Sequence, residues 1–504
     1  MTAINIGHRI SFSSLSPEAQ PLSMKRKFIT NLGFLLFLNL LVKPFWIFGI
    51  DRTVQNMVDP GEYGFYFTVL NFTFLFNILL DFGITSFNNK NIAQNNQLLN
   101  KHFSGITLLR FLLAAVYFVV IFIVATIIGY DPRHMYFLAF LGFNQFLVSF
   151  ILYLRSNISG LLLFRIDSAI SVLDRLLMIL FCSILLWGNF ITEPFRIIWF
   201  VYAQTLAYLV TAFIALLIVI KKAEFKRLHW NTSFFLMIIK QSFPFALLVL
   251  LMSFYNRIDS VMLERMLPKG VGTTQVDIYA KAYRLLDAVN MIAYLFAVLL
   301  IPIFARLLKE KKPVEGMVKL SFTIIFTISM IIATGSSFFS KQIMELLYIG
   351  QIQEAQQVFV FLIIGFIPIS ATYIFGTLLT SNGSLKALNI MALTGMVLNI
   401  GLNYILIPQF LAVGSAYASL ATQFVTAIIQ IAIAQRIFRF DINWKYIITL
   451  VLFALGVIVL NMVSTYIGMD WRIALVLAGS ASVLWAFALK LLSIGGFLRL
   501  LRNE

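Results

Sequence analysis

The sequence predicts an all-α polytopic membrane protein with about 14 transmembrane helices in two related halves. Hydrophobic residues make up 60% of the 504 positions, and the mean hydropathy of +0.91 is far above that of a soluble globular protein. Apolar runs of about 20 residues, the length that crosses about 30 Å of hydrocarbon, recur along the whole chain. Basic residues are concentrated in alternate connections between these runs. Together these observations indicate that most of the chain lies in lipid.

The apolar runs divide into two sets of seven. Because each run is continuous rather than alternating between apolar and polar residues, the runs predict helices and not strands of a membrane barrel. The predicted spans of the first set are 28–50, 64–87, 106–128, 135–154, 166–187, 197–220 and 238–256. Those of the second set are 278–304, 318–338, 357–380, 387–408, 413–434, 446–466 and 471–493.

The distribution of lysine and arginine predicts the orientation of the spans. With both termini in the cytoplasm, the inner segments contain 25 of the 38 basic residues and the outer segments contain 8. This asymmetry is the one expected when positive charge stays inside. The net charge of +17 is therefore attributed to cytoplasmic loops, and no nucleic-acid partner is predicted.

Two related stretches indicate that the chain has two halves. Residues 59–81 and 274–287 each read as a polar turn followed by an apolar helix. Residues 1–27 are polar and end in a basic cluster, without the cleavage site of a signal peptide. The predicted units are a cytoplasmic leader (1–27), an N-lobe (28–220), a basic cytoplasmic linker (221–237), a C-lobe (238–434) and two additional C-terminal helices (435–504).

The most unusual charges fall in the eighth predicted span. Lys281, Arg284 and Asp287 are three residues apart, so we expect them to share one stripe of the helix. Charges inside a membrane seldom face lipid. The stripe therefore either contacts a ligand in a water-filled cavity or forms structural salt bridges.

Other ionisable residues also lie in or beside the spans. Lys43 precedes Pro44 and either lines a cavity or extends to the outer interface, whereas Arg110 is expected to extend to the inner interface. Asp174 and Arg175 form either an internal ion pair or part of a functional site. The single Cys182 excludes an internal disulfide, and the four histidines lie in polar flanks, so neither a metal site nor a cofactor is predicted.

Several motifs resemble those of the bacterial polysaccharide flippases, a family of the multidrug, oligosaccharidyl-lipid and polysaccharide exporter superfamily. The stretches that carry the resemblance are DPGEYGFY at 59–66, LDFG at 80–83, IYAKAYR at 278–284, LNIGLNYILIP at 398–408 and VGSA at 413–416. The last of these has Gly-Ser-Ala where the family often has Gly-Ala-Ala.

The resemblance implies that the helices form two pseudo-symmetric bundles around a central cavity. It also implies a non-enzymatic transporter in the bacterial inner membrane that moves a polyprenyl-diphosphate-linked oligosaccharide from the cytoplasmic to the periplasmic leaflet by alternating access. Its partners would be that glycan, membrane lipids and glycan polymerase or ligase proteins. Only Lys281 and Arg284 are carried over from the family as cavity cations. From their charge and position, Lys43, Arg52, Arg175 and Arg257 are expected to help screen the diphosphate, because arginine offers paired donors and lysine a point charge. The acids expected to hold these cations or to bind a coupling ion are Asp81, Asp174, Asp259 and Asp287.

Other functions stay open at this stage. The chain has no Gly-rich Lys-Ser/Thr phosphate loop, so an ion gradient rather than ATP is the expected energy source. A multidrug or cation antiporter of the same architecture would use acids in an apolar cavity instead of cations. A peptidoglycan-precursor flippase would meet the same diphosphate and sugars. A scaffold or polymerase partner of glycan assembly is disfavoured, because a polymerase would need a long charged outer loop.

Overall fold

The computed structural model describes residues 41–42, 44–85, 88, 92, 97–161, 163–188, 193–222 and 232–492. Within these ranges the regular structure is helical. A π-helical turn at Trp46–Asp51 continues into α1 (Arg52–Met57), and a 3₁₀ turn at Asn77–Leu80 follows α2 (Glu62–Leu75). The next helices are α3 (Gln97–Ile127), α4 (Pro132–Gly160), α5 (Phe164–Trp187), α6 (Ile197–Ile220), α7 (Thr232–Met266) and α8 (Val271–Lys309). The remaining helices are α9 (Glu315–Phe338), α10 (Ser340–Leu347), α11 (Ile352–Ile364), α12 (Phe366–Ser381), α13 (Leu385–Phe438), α14 (Trp444–Tyr466) and α15 (Trp471–Ala488).

The helices agree with the predicted spans. Eleven described stretches are long and apolar enough to cross a membrane. The longest is α13, in which Leu411 has φ 54° and ψ −132°, so α13 comprises two helices that meet between the predicted spans 387–408 and 413–434. Neither of the first two predicted spans is among these eleven stretches. Of the first span, 28–50, the structure describes residues 41–42 and 44–50, and the second, 64–87, corresponds to α2, which ends at Leu75, and the 3₁₀ turn that follows it. An all-α membrane fold is thus confirmed.

The predicted span 357–380 contains Pro368 and is divided between two helices. The helix α11 ends at Ile364 and α12 begins at Phe366. Proline has no N–H to donate to the carbonyl four residues earlier, here that of Ile364, and its ring crowds that carbonyl. The helix therefore breaks at Gly365, just before the proline.

The connection between the predicted spans 238–256 and 278–304 is shorter than the sequence predicts. The helix α7 continues to Met266 and α8 already begins at Val271. The predicted spans end where charged residues begin, because the prediction follows apolar residues. The helices themselves extend further, because their polar side chains contact neighbouring helices. Gln55 of α1, for example, donates to Asp277 in the first turns of α8.

The two related stretches of the sequence pack against each other. The helix α2 contacts α8 directly, and it also contacts α7. Gly64 lies so close to α8 that a Cβ atom built on it would be 2.7 Å from the backbone nitrogen of Asp277. Small residues allow such close approach of helix backbones in membranes. The absence of a side chain at Gly64 therefore sets the distance between α2 and α8.

The other helices pack around this central contact. In the first half, α4 packs on α2, α6 packs on α4, and α5 packs on α6 and on the Trp46–Asp51 turn. In the second half, α13 packs on α7, α12 packs on α8 and α13, and the last two helices pack on α9. The contact of α2 with α7 and α8 thus joins the earlier helices to the later ones.

Candidate functional site

Arg284 forms the tightest ion pair at the contact between the two sets of helices. Its Nε lies 2.9 Å from Oδ2 of Asp51, which sits at the end of the π-helical turn. The same Nε donates to the hydroxyl of Tyr63 on α2, also at 2.9 Å, and that hydroxyl in turn donates to Asp51 at 2.8 Å. The Asp51 side chain is buried, and the Arg284 side chain is 17% exposed. One guanidinium thereby connects the Trp46–Asp51 turn, α2 and α8.

Asp287 lies between two arginines at longer distances. Its Oδ2 is 3.6 Å from Nη1 of Arg257 on α7 and 4.0 Å from Nη1 of Arg284. Arg257 also donates to Oδ1 of Asn71 on α2 at 3.3 Å, and its guanidinium lies 5.3 Å from the ring centre of Tyr283. These separations from Asp287 exceed the length of a hydrogen bond, so donors of both arginines remain available to another anion.

Arg175 supplies a third cation from α5. Its Nε is 3.8 Å from Oδ2 of Asp174, and its guanidinium lies 5.5 Å from the ring centre of Trp46. Trp46 opens the π-helical turn that ends in Asp51, so Arg175 lies beside the same turn. The three arginines and their acids, here called the arginine cluster, comprise Arg175, Arg257, Arg284, Asp51, Asp174 and Asp287. The cluster joins Asp174, Arg175, Arg257, Arg284 and Asp287 from the sequence-based set, and the ion-pair interpretation of Asp174 and Arg175 agrees with the geometry.

The prediction that Lys281 shares a stripe with Arg284 and Asp287 is wrong. Six residues of an α-helix rotate the side-chain direction by about 600°, which leaves the side chains of residues 281 and 287 about 120° apart. Lys281 is buried, with Nζ 3.4 Å from Asp277 and within 3.3 Å of the carbonyl oxygens of Ile349 and Gly350. It therefore binds the segment between α10 and α11 rather than the arginine cluster.

Arg52 contacts the same segment as Lys281. Its Nε donates to the carbonyl oxygen of Leu347, and Asn56 donates to that oxygen at 2.9 Å. Residues 347–350 are thus held from both α1 and α8. Lys43, another predicted cavity cation, lies outside the described residues.

Asp259 is buried among neutral donors. Its carboxylate accepts hydrogen bonds from Tyr279 at 2.7 Å, Asn403 at 2.8 Å and Asn399 at 3.1 Å. In the part of the chain that the structure describes, no lysine or arginine pairs with it. Of the two expectations for Asp259, the pairing with a cavity cation is therefore not found among the described residues, and the binding of a coupling ion stays a prediction. Asn399 and Asn403 connect α13 to α7 through Asp259.

Asp81 is paired away from the arginine cluster. Its carboxylate bonds to Arg110 of α3, and Arg110 also donates to the carbonyl oxygen of Leu80 at 2.7 Å and to Ser149 at 2.9 Å. The Arg110 side chain is 1% exposed, so its predicted extension to the interface is wrong. The two terminal nitrogens of the guanidinium are thus hydrogen-bonded inside the protein, and the carboxylate pairs with its charge.

One residue of the arginine cluster, Asp51, and one hydrogen-bond partner of the cluster, Tyr63, were not predicted. Asp51 falls one position after the predicted span 28–50, where an acid looks like part of a solvated loop. Tyr63 was quoted only as part of a motif. Since the pairing between Asp51 and Arg284 joins positions 233 residues apart, a single sequence carries no direct signal of it.

The described helices define a multi-pass membrane protein. The structure is similar to that of the lipid II flippase MurJ in an inward closed conformation, with a TM-score of 0.66, 12% identity and coverage of 92% of this chain and 98% of that chain. It is also similar to an inward-facing multidrug resistance transporter of the MATE family, with a TM-score of 0.61, 14% identity and coverage of 80% and 98%. A third similar structure is a superfamily transporter from Pyrococcus furiosus, with a TM-score of 0.55, 14% identity and coverage of 83% and 96%. At these identities the similarity defines the fold alone.

The particular family follows from the sequence. The model of the polysaccharide biosynthesis protein family matches residues 31–308, which is more than half of the chain. The protein therefore belongs to the polysaccharide biosynthesis protein family. No curated protein sequence matches it significantly.

Proposed function

We propose that this protein is a flippase that moves a polyprenyl-diphosphate-linked oligosaccharide, a precursor of surface polysaccharide, from the cytoplasmic to the periplasmic leaflet of the bacterial inner membrane. The observation that supports this proposal is the set of three partly exposed arginines at membrane depth. Membership of the polysaccharide biosynthesis protein family agrees with it. The function is transport rather than catalysis.

The arginine cluster suits a diphosphate because it holds donors that are only loosely committed. A diphosphate and several sugars cannot cross hydrocarbon, whereas the polyprenyl tail can remain in lipid. Arg257 lies 3.6 Å from Asp287, and Arg175 lies 3.8 Å from Asp174. A guanidinium at such a distance can turn toward phosphate oxygens and bind them with two parallel hydrogen bonds. After the substrate leaves, Arg257 would pair again with Asp287, and Arg175 with Asp174.

The position of the cluster supports alternating access. Asp51 and Arg175 belong to the proposed N-lobe (28–220), and Arg257, Arg284 and Asp287 belong to the proposed C-lobe (238–434). The two lobes would move as units, with α14 and α15 packed on α9. A substrate bound between the lobes would then be exposed to one leaflet at a time.

Asp259 is the residue that we assign to ion coupling. It is a buried carboxylate whose described partners are the neutral side chains of Tyr279, Asn399 and Asn403. An isolated charge in such surroundings is costly, so the site would gain stability from a proton or a sodium ion. An ion gradient could therefore drive the change between conformations through Asp259.

The direct test uses cells in which surface polysaccharide depends on this protein. We expect Arg257→Gln and Arg284→Gln to reduce surface glycan, and cells without the protein to retain lipid-linked glycan on the inner leaflet. The matched control is Arg196→Gln, which removes an exposed arginine whose described ion-pair partner is nearby Glu193. Unchanged surface glycan in both cluster variants, at equal protein level, would exclude the arginine cluster as the binding site. Loss of drug export with intact glycan would instead identify an antiporter.

A further inference from the structure

His134 lies between two carboxylates that come from different parts of the chain. Its Nδ1 is 2.8 Å from Oδ1 of Asp131, in the turn before α4, and its Nε2 is 3.0 Å from Oε1 of Glu264, near the end of α7. Both His134 and Glu264 are buried. The imidazole therefore ties the turn between α3 and α4 to the end of α7, and so connects the proposed N-lobe to the proposed C-lobe.

The two hydrogen bonds of His134 can both form only if His134 and Glu264 together carry one proton more than a neutral imidazole and an ionised carboxylate do. A neutral imidazole has one N–H donor and one nitrogen with a lone pair. Asp131 caps α4 by accepting the backbone N–H of His134, and this hydrogen bond lowers the pKa of the Asp131 carboxyl, which stays ionised. The Nδ1 atom must therefore donate to Asp131. At Nε2 a hydrogen bond to Glu264 then forms only if the imidazole is protonated or if Glu264 carries the proton.

Other charged groups also lie around His134. Arg265 lies 3.6 Å from Glu264, and its guanidinium stacks 4.2 Å from the ring centre of Tyr130. Arg133, on the same helix as His134, pairs with Glu62 of α2. The Asp131 side chain is 53% exposed, so water screens its charge, whereas Glu264 is buried. Without the additional proton, the lone pair of Nε2 would face the buried Glu264 oxygen with no hydrogen bond between them, which is costly, so the proton stabilises the joined geometry.

The aromatic rings around the imidazole limit its contact with water. The ring of Tyr130 stacks on His134 at 4.6 Å between centroids, and the ring of Phe65 on α2 meets it edge-on, also at 4.6 Å. Separation of α7 from the α3–α4 turn would expose both His134 and Glu264. The same contacts therefore hold the proton and join α7 to the α3–α4 turn, so binding of the proton and association of these two elements are linked.

We propose that His134 and Glu264 form a proton-binding latch that holds the α3–α4 turn against the end of α7. The predicted topology places this latch at the outer end of the bundle, so acid outside the cell would favour closure of that end. Histidine is the side chain that normally changes charge between about pH 5 and 8. The latch depends on the two conformations of the protein and not on the identity of the glycan.

Spin labels at the same end of the bundle test the latch. Glu193 and Lys269 lie on the α5–α6 and α7–α8 turns, where both are exposed, and Cys182 can be replaced by alanine to leave two labelled cysteines. Distances between the labels are measured by electron paramagnetic resonance on the full chain in lipid nanodiscs, from pH 5.5 to pH 8. For one linked proton, the ratio of joined to separated molecules should change by up to about tenfold per pH unit. We expect acid to increase the short-distance population.

Three variants distinguish the latch from a general effect of pH. His134→Gln should remove the pH dependence. Glu264→Gln should keep the joined population high even at pH 8, because an amide N–H can donate to the neutral imidazole. Arg133→Gln, which breaks the neighbouring pair with Glu62, should retain the pH dependence of the parent. A parent protein with the same distances at pH 5.5 and pH 8, or a His134→Gln variant that still responds, would overturn the proposal.

Discussion

Gln55 donates a 2.8 Å hydrogen bond to Asp277, and this bond joins α1 to α8. The same carboxylate is the ion-pair partner of Lys281, whose ammonium in turn holds the carbonyl oxygens of residues 349 and 350. The side chains of Asp277 and Lys281 are only 5% and 3% exposed. Lys281, which the sequence predicts as a cavity cation, therefore stabilises the contacts of α8 with the 347–350 segment.

We predict that Lys281→Gln destabilises the protein. The substitution leaves Asp277 as a buried charge with only Gln55 as a partner, and breaking a buried pair costs about 3 kcal/mol or more. Thermal unfolding of the purified protein in detergent should occur at a clearly lower temperature. Lys341→Gln is the control, because Lys341 is exposed and its 3.9 Å pair with Glu345 should contribute little. Equal unfolding temperatures for Lys281→Gln and the parent would show that the ammonium is not a structural element.

The second prediction tests whether Arg257 acts through its positive charge alone or also through its paired hydrogen-bond donors. Arg257→Lys keeps the positive charge but loses the paired donors, so diphosphate binding should weaken by about tenfold or more, as expected for a lost hydrogen bond to a charged group. The measurement is flipping of a polyprenyl-diphosphate sugar in proteoliposomes over a range of substrate concentrations. Because Arg257 is partly exposed and its acid is 3.6 Å away, folding should be unaffected. A lysine variant that flips the substrate as the parent does would indicate that only charge is needed.

The third prediction concerns Asp259. In Asp259→Asn the side chain keeps an oxygen that can accept from Tyr279, so the variant should fold, but it can no longer bind a proton or a cation as an anion. Flipping in proteoliposomes should lose its response to an imposed proton or sodium gradient. The control, Asp470→Asn, changes an exposed helix cap far along the chain in sequence and should keep the response. An undiminished response in Asp259→Asn would assign ion coupling to another residue.

The sequence predicts the helices of this protein better than it predicts their contacts. Span positions follow from the length of apolar runs, which is a local property, and they agree with the described helices. The pairing of charges depends on helix rotation and on which helices are neighbours. Arg110 and Asp81 lie 29 residues apart and looked independent, yet α3 brings them together, and the rotation of α8 directs Lys281 away from Asp287.

The last prediction concerns the contact that brings the two related stretches together. In Gly64→Ala the new methyl group would lie 2.7 Å from the backbone nitrogen of Asp277 and even closer to the carbonyl oxygen of Thr273, and backbone atoms cannot turn aside as a side chain can. The helix α2 must then move away from α8, which loosens both the pair of Arg284 with Asp51 and the contacts of Tyr63. We expect lower thermal stability and reduced flipping together. Gly401→Ala in α13 is the control, since no atom lies within 4 Å of its added Cβ and alanine favours a helix by about 0.5–1 kcal/mol. If Gly64→Ala matched Gly401→Ala in both measurements, close packing of α2 on α8 would not be what positions the arginine cluster.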